Sequence, residues 1–216
     1  MKCERIPLGA QGAYLDTYFL ADSPELKAGA CRPAVVVCPG GGYAYTSDRE
    51  AEPIALALCA RGFHACVLRY PCAPARFPAA LRALAEAVAW VRAGAAENHV
   101  DPRQISVCGF SAGGHLAGSL GVFWNAPFLA AETGLAPQDM RPDKMVLCYP
   151  VITGGEFAHK GSFDNLLGAD ADAARRAEVS LEQHVTQDTP PAFLWHTYTD
   201  PGVPVENTML FAGRTV

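Results

Sequence analysis

A chain of 216 residues, 50% hydrophobic and 18% charged, is long enough to bury one sizeable core and reads as a single globular domain. Its formal net charge of −5, with no cluster of lysine and arginine, argues against a nucleic-acid or anionic-membrane surface. No run approaches a membrane span, and the start MKCERIPLGAQGAYLD, interrupted by Pro7, Gly9 and Gly12, has no signal-peptide h-region, so a cytoplasmic location is expected.

The period of the apolar residues switches repeatedly along the chain. AYLDTYFL (13–20) alternates like a half-buried strand, and AVVVC (34–38) is a continuous apolar run closed by PGGG. DREAEPIALALCARG predicts a helix with Asp48 as N-cap and Gly62 at its close, where Pro53 fits only near the start because it has no N–H to donate. FHACVLRY (63–70) is again strand-sized. FPAALRALAEAVAWVRAG places Leu81, Leu84, Val88 and Val91 on one helical stripe that ends at Gly94. ISVCGF (105–110) leads directly into the helical SAGGHLAGSLGVFW, and MVLCYPV (145–151) and AFLWHTY (192–198) are further strands. Continuous apolar strands alternating with amphipathic helices predict an α/β domain with a mainly parallel sheet.

The segment 152–190 breaks this rhythm. It is long and polar, with short helical pieces around SFDNLLG and SLEQHV, the second with Ser180 and Gln183 at capping-box spacing. It reads as an insertion between strands, either covering one end of the sheet and shaping a pocket or running over the surface without function.

Eight cysteines are present, yet no pair forms C-x-x-C and no histidine pair has zinc-ligand spacing, so no metal site is expected. Cys38, Cys66, Cys108 and Cys148 lie inside apolar runs, where reduced thiols behave as small hydrophobes.

Gly109-Phe110-Ser111-Ala112-Gly113 is G-x-S-x-G between a predicted strand and a predicted helix. The pattern alone also fits a serine N-cap with glycines for packing. The strand–turn–helix context favours a nucleophile, since small flanking residues permit the tight turn and the helix N-terminus favours developing negative charge. CPGGGY (38–43) exposes backbone N–H groups after a strand. It lacks both the G-K-[ST] of a Walker loop and the spacing of a dinucleotide fingerprint. In the esterase type, such a loop and the N–H after the nucleophile, here Ala112, form the oxyanion hole. Asp200, in TDPGVPVEN, follows the last predicted strand and holds the acid's place in the order Ser, Asp, His, although Asp-Pro-Gly is also an ordinary turn. All six histidines (His64, His99, His115, His159, His184 and His196) precede Asp200. His115 sits on a helix leading away from the turn, while His159 and His184 in the insertion are the minor candidates for a base.

Taken together, CPGGGYAYTSDREAEPIALAL, VLRYP, ISVCGFSAGGHLAGSLG, DKMVLCYPVIT, HKGSFDNLLG and TPPAFLWHTYTDPGVPVENTMLFA resemble the α/β-hydrolase esterases grouped with acetyl-xylan and related carbohydrate acetylesterases. The match runs in order from about residue 34 to the end. The resemblance implies an α/β-hydrolase fold, Ser111 as nucleophile, Asp200 as triad acid, and Gly41 and Gly42 with Ala112 as oxyanion donors. It implies a carbohydrate or small-molecule ester substrate, with no cofactor and no metal. Similar proteins continue with a helix, a last strand and a Gly-His loop that supplies the base. The expectation is therefore one domain over 1–216, C-terminally truncated and lacking that strand and helix. Its uncovered sheet edge would favour homo-oligomers. Two alternatives follow: a hydrolase-fold protein impaired by the absent histidine, and, less favoured, a peptidase of the same fold, whose usual extra N-terminal domain has no room here.

Overall fold

The computed structural model describes residues 1–9 and 12–214. Its centre is a seven-stranded sheet in the order β1-β2-β4-β3-β5-β6-β7. The strands are β1 (Lys2–Pro7), β2 (Tyr14–Phe19), β3 (Arg32–Cys38), β4 (His64–Arg69), β5 (Val100–Phe110), β6 (Lys144–Cys148) and β7 (Ala192–Trp195). β1 and β2 form an antiparallel margin, and β4, β3, β5, β6 and β7 run parallel to one another. The sheet is thus mixed, with the parallel portion that the apolar runs predict. β1 was not anticipated, because its exposed, charged sequence KCERIP carries no apolar period.

β3 shows why the runs are continuous. Ala34, Val36 and Cys38 enter one apolar cluster and Val35 and Val37 the other, on opposite faces of the sheet. The helices are α1 (Pro24–Lys27), α2 (Glu52–Cys59), α3 (Ala79–Ala93), α4 (Ala112–Phe123), α5 (Pro127–Thr133), α6 (Pro137–Met140), α7 (Lys160–Leu167), α8 (Ala173–Ala177) and α9 (Glu206–Ala212). α3 buries Leu81, Leu84, Val88 and Val91, the stripe read from the sequence, in the larger cluster that α4 shares. α2 contributes Ala55 and Cys59 to the smaller one.

Two helix starts differ from expectation. Asp48 is no cap: Asp48–Glu50 is a 3-10 turn preceded by Ser47, and α2 begins after Ala51 with Pro53 in its first turn. The Asp48 carboxylate instead pairs with Arg69 at 2.7 Å. Ser180 also makes no capping bond to its own 3-10 turn, Leu181–Gln183. Its hydroxyl accepts from Gly154 N–H and donates to Arg176 C=O, tying two parts of the 152–190 segment together. All eight cysteines are free thiols, with Cys38, Cys66, Cys108 and Cys148 buried. Among the described residues no helix is long and apolar enough to cross a membrane.

Candidate active site

Because β3, β5, β6 and β7 are parallel, their carboxyl ends deliver four loops to one edge of the sheet. A cleft of about 440 Å³ opens there, lined by Gly41 and Gly42 after β3, Ser111 after β5, Tyr149 after β6 and Asp200 after β7. Glu50 and His159 line it too.

Ser111 sits between β5 and α4 with φ 54° and ψ −120°. A side chain in that sparsely populated region costs about 1–3 kcal/mol and persists only where surrounding bonds impose it. Its N–H donates to Cys148 C=O at 3.0 Å, and its own C=O accepts from Val151 at 3.1 Å and His115 at 3.2 Å. The end of β6 therefore fixes both sides of the turn. Gly109 and Gly113 are obligatory: a Cβ on Gly113 would enter the Cys38 and Pro39 carbonyls, and one on Gly109 would enter the Gly113 carbonyl. The Ser111 hydroxyl makes no hydrogen bond among the described residues.

The glycine loop is held from outside. Gly40 N–H donates to a Glu50 carboxylate oxygen at 2.7 Å, Gly40 C=O accepts from Ser47 at 2.9 Å, and Gly42 C=O accepts from the Asn165 amide at 2.9 Å. Gly41 and Gly42 have φ of 128° and 64°, which glycine adopts without strain. A Cβ on Gly41 would strike the Tyr45 carbonyl. The N–H groups of Gly41, Gly42 and Ala112 reach no acceptor among the described residues, the state required of donors reserved for a ligand oxyanion.

Asp200 occupies a turn in which one carboxylate oxygen accepts from Gly202 and Val203 at 2.8 and 3.0 Å. Burial works to raise its pKa, but the Val203 and Gly202 N–H groups, with the nearby His196 and His159 rings, outweigh it and hold the carboxyl below its usual value. It is therefore a carboxylate at neutral pH, facing the same cleft as Ser111.

Five of the six imidazoles do not line the cleft. His196 approaches Asp200 at 3.7 Å, but its Nε2–H donates to Val203 C=O and its Nδ1 accepts from Thr208, both at 2.8 Å. His115 is buried between Tyr43 and the Val179 carbonyl. His64 is bonded to Leu20 N–H and to the His99 carbonyl. His184 packs on Phe123 at 4.7 Å. His159 alone lines the cleft, as the N-cap of α7. Its Nδ1 accepts from Ser162 N–H at 3.3 Å and meets the Ser162 hydroxyl at 2.8 Å. Nδ1 is therefore engaged by Ser162 and not free to take a proton from Ser111. Sequence reasoning did not foresee Glu50 or Tyr149, since their contacts join residues far apart in the chain.

The BD-FAE family model matches residues 21–214. The chain is 37% identical over 190 residues to endo-1,4-beta-xylanase B of Butyrivibrio fibrisolvens, covering 84% of this chain and 29% of that protein. It is 29% identical over 197 residues to an acetylxylan esterase of Xylanibacter ruminicola, covering 87% and 36% respectively. The chain thus spans about a third of the length of these two curated relatives. The acetyl ester-xyloside bifunctional hydrolase from Caldicellulosiruptor lactoaceticus superposes with a TM-score of 0.84 at 37% identity, over 98% of this chain and 80% of that one.

Proposed function

The chain belongs to the BD-FAE family of α/β-hydrolase esterases, and from that premise we propose that its cleft hydrolyses short-chain carboxylic esters, acetyl groups on carbohydrate above all, through a serine acyl-enzyme. The observation that carries this reading is the strained backbone of Ser111 in a cleft that it shares with Gly41, Gly42 and the Asp200 carboxylate. Ser111 Oγ attacks the ester carbonyl as its proton passes to an imidazole, a role that none of the described histidines fills as held and that added imidazole takes in the test below. The tetrahedral oxyanion is held by the N–H groups of Gly41, Gly42 and Ala112. Collapse releases the alcohol, which takes the proton, and leaves the acyl-serine. Water then attacks that ester, giving its proton to the imidazole, and the carboxylic acid departs with Ser111 restored. Asp200 orients the imidazole and stabilises its charged form. No step calls for a metal or organic cofactor. The free thiols favour a reducing compartment such as the cytoplasm.

A second reading, an ester-binding protein with impaired turnover, is favoured by one observation: among the described residues no histidine nitrogen is hydrogen-bonded to Ser111 Oγ, and His159, which lines the cleft, has its Nδ1 engaged by Ser162. In a serine triad, loss of the histidine alone costs about a million-fold in kcat. Residues 1–216 should accordingly release acetate from acetylated xylobiose near background, and millimolar imidazole should raise the rate in wild type but not in Ser111→Ala. Equal rates in the two proteins under both conditions would remove the nucleophile assignment.

A further inference from the structure

We propose that Glu50 is a positioning residue that locks the oxyanion loop to the support of the serine turn. The inference rests on the serine-esterase reading above and concerns a residue outside the triad and the donor set. Glu50 ends the 3-10 turn Asp48–Glu50 and is half-buried at the cleft wall. One carboxylate oxygen accepts from Gly40 N–H at 2.7 Å, and the other accepts from the Tyr149 hydroxyl at 2.9 Å. Gly40 immediately precedes the two loop glycines. Tyr149 directly follows β6, with its N–H on Trp195 C=O at 2.8 Å and its ring against Trp195 and Phe110. Its neighbours are the groups that fix Ser111: Cys148 C=O accepts from Ser111 N–H, and Val151 N–H donates to Ser111 C=O. One carboxylate therefore spans from the oxyanion loop to the strand end that holds the nucleophile.

The chemistry of the two partners selects an acceptor-only side chain. An amide N–H and a phenol O–H both donate, and a carboxylate can receive both through charge-assisted bonds. The space is closed as well: a Cβ on Gly40 would lie 2.7 Å from the Glu50 oxygen, 2.8 Å from Phe110 O and 3.1 Å from Ser111 Cβ. The loop thus rests on the serine turn with no slack. Without Glu50 the Gly40 N–H loses its partner, and only the Ser47 and Asn165 bonds and packing remain to hold the N–H groups of Gly41 and Gly42 toward Ser111.

The test compares Glu50→Ala, Glu50→Gln and Tyr149→Phe by two readouts. The first is amide hydrogen exchange of Gly40–Gly42 in the free protein, which needs no catalysis. The second is the imidazole-supported rate at which p-nitrophenyl acetate acylates Ser111. Glu50→Ala should speed Gly40 exchange about a hundred-fold and slow acylation about a hundred-fold at little changed KM, comparable to removing an oxyanion donor. Glu50→Gln should lose less than about tenfold in either, because its oxygen still receives Gly40 N–H while the Tyr149 hydroxyl rotates to accept from its amide. Tyr149→Phe, which keeps the Gly40 bond, should fall between them. Acylation in Glu50→Ala within twofold of wild type would overturn the proposal. So would Glu50→Gln falling as far as Glu50→Ala, which would assign the effect to charge and not to position. If wild type shows no Ser111-dependent acylation, the esterase reading fails, and Gly40 exchange alone decides the lock: unchanged exchange in Glu50→Ala refutes it.

Discussion

His115, four residues beyond Ser111, lies wholly inside the protein. Its Nε2–H donates to Val179 C=O at 2.8 Å, and its Nδ1 accepts from the Tyr43 hydroxyl at 2.9 Å. Burial drives its pKa down to about 4, although the Val179 carbonyl pulls the other way. The unfolded chain takes up that proton near pH 6.5. Between pH 6.5 and about 4 the unfolded state therefore binds more protons than the native state, and stability falls with falling pH. The steepest slope is about 1.4 kcal/mol per pH unit. His64, lowered chiefly by burial against the opposing His99 carbonyl, adds in the same direction. Urea midpoints should hold above pH 6.5 and decline below it, while the His115 ring resonances stay flat to near pH 5. A His115 titration at pH 6.5 would refute this. The sequence showed only that His115 follows the turn on a helix. Its sealed environment comes from Tyr43 and Val179, which spacing does not reveal.

At the scale of elements, α4 explains why the sequence after the serine is so small. Its residues are all buried, and Gly113, Gly118 and Gly121 each abut a neighbour that a methyl group would strike. Gly113→Ala forces a Cβ into the carbonyls of Cys38 and Pro39 and should cost about 2–3 kcal/mol in urea unfolding. Gly161→Ala is the control. Exposed in α7, with only the nearby His159 ring in reach at an ordinary 3.8 Å, it should be neutral or slightly stabilising. An equal loss in both would show that the close approach of α4 does not govern the first. The start of α4 was legible because G-x-S-x-G needs a strand before it and a helix after it. The start of α2 was not: Asp48 has the right residue type for a cap, but Arg69, distant in sequence, competes for its carboxylate. Ser180 was lost to the same cause, drawn to Gly154 and Arg176.

Across the whole molecule, the parallel strands gather the loops after β3, β5, β6 and β7 at one edge. This arrangement turns residues read separately (Gly41, Gly42, Ser111 and Asp200) into the wall of one cleft. Their order in the chain and the strands before them made that convergence readable. The lock by Glu50 was not, because it depends on Tyr149, a partner that folding brings from far along the chain. On the proposed function Ser111 is a nucleophile set by its backbone, and among the described residues no histidine is hydrogen-bonded to its hydroxyl. Intact-mass kinetics of an organophosphonate reacting with the protein decide whether this holds. Residues 1–216 should label slowly, with marked acceleration by imidazole, a single adduct on Ser111, and none in Ser111→Ala. Rapid labelling without imidazole that is lost in His159→Ala would contradict it by locating a base in the cleft. Failure of Ser111 to label under any condition would contradict it by removing the nucleophile.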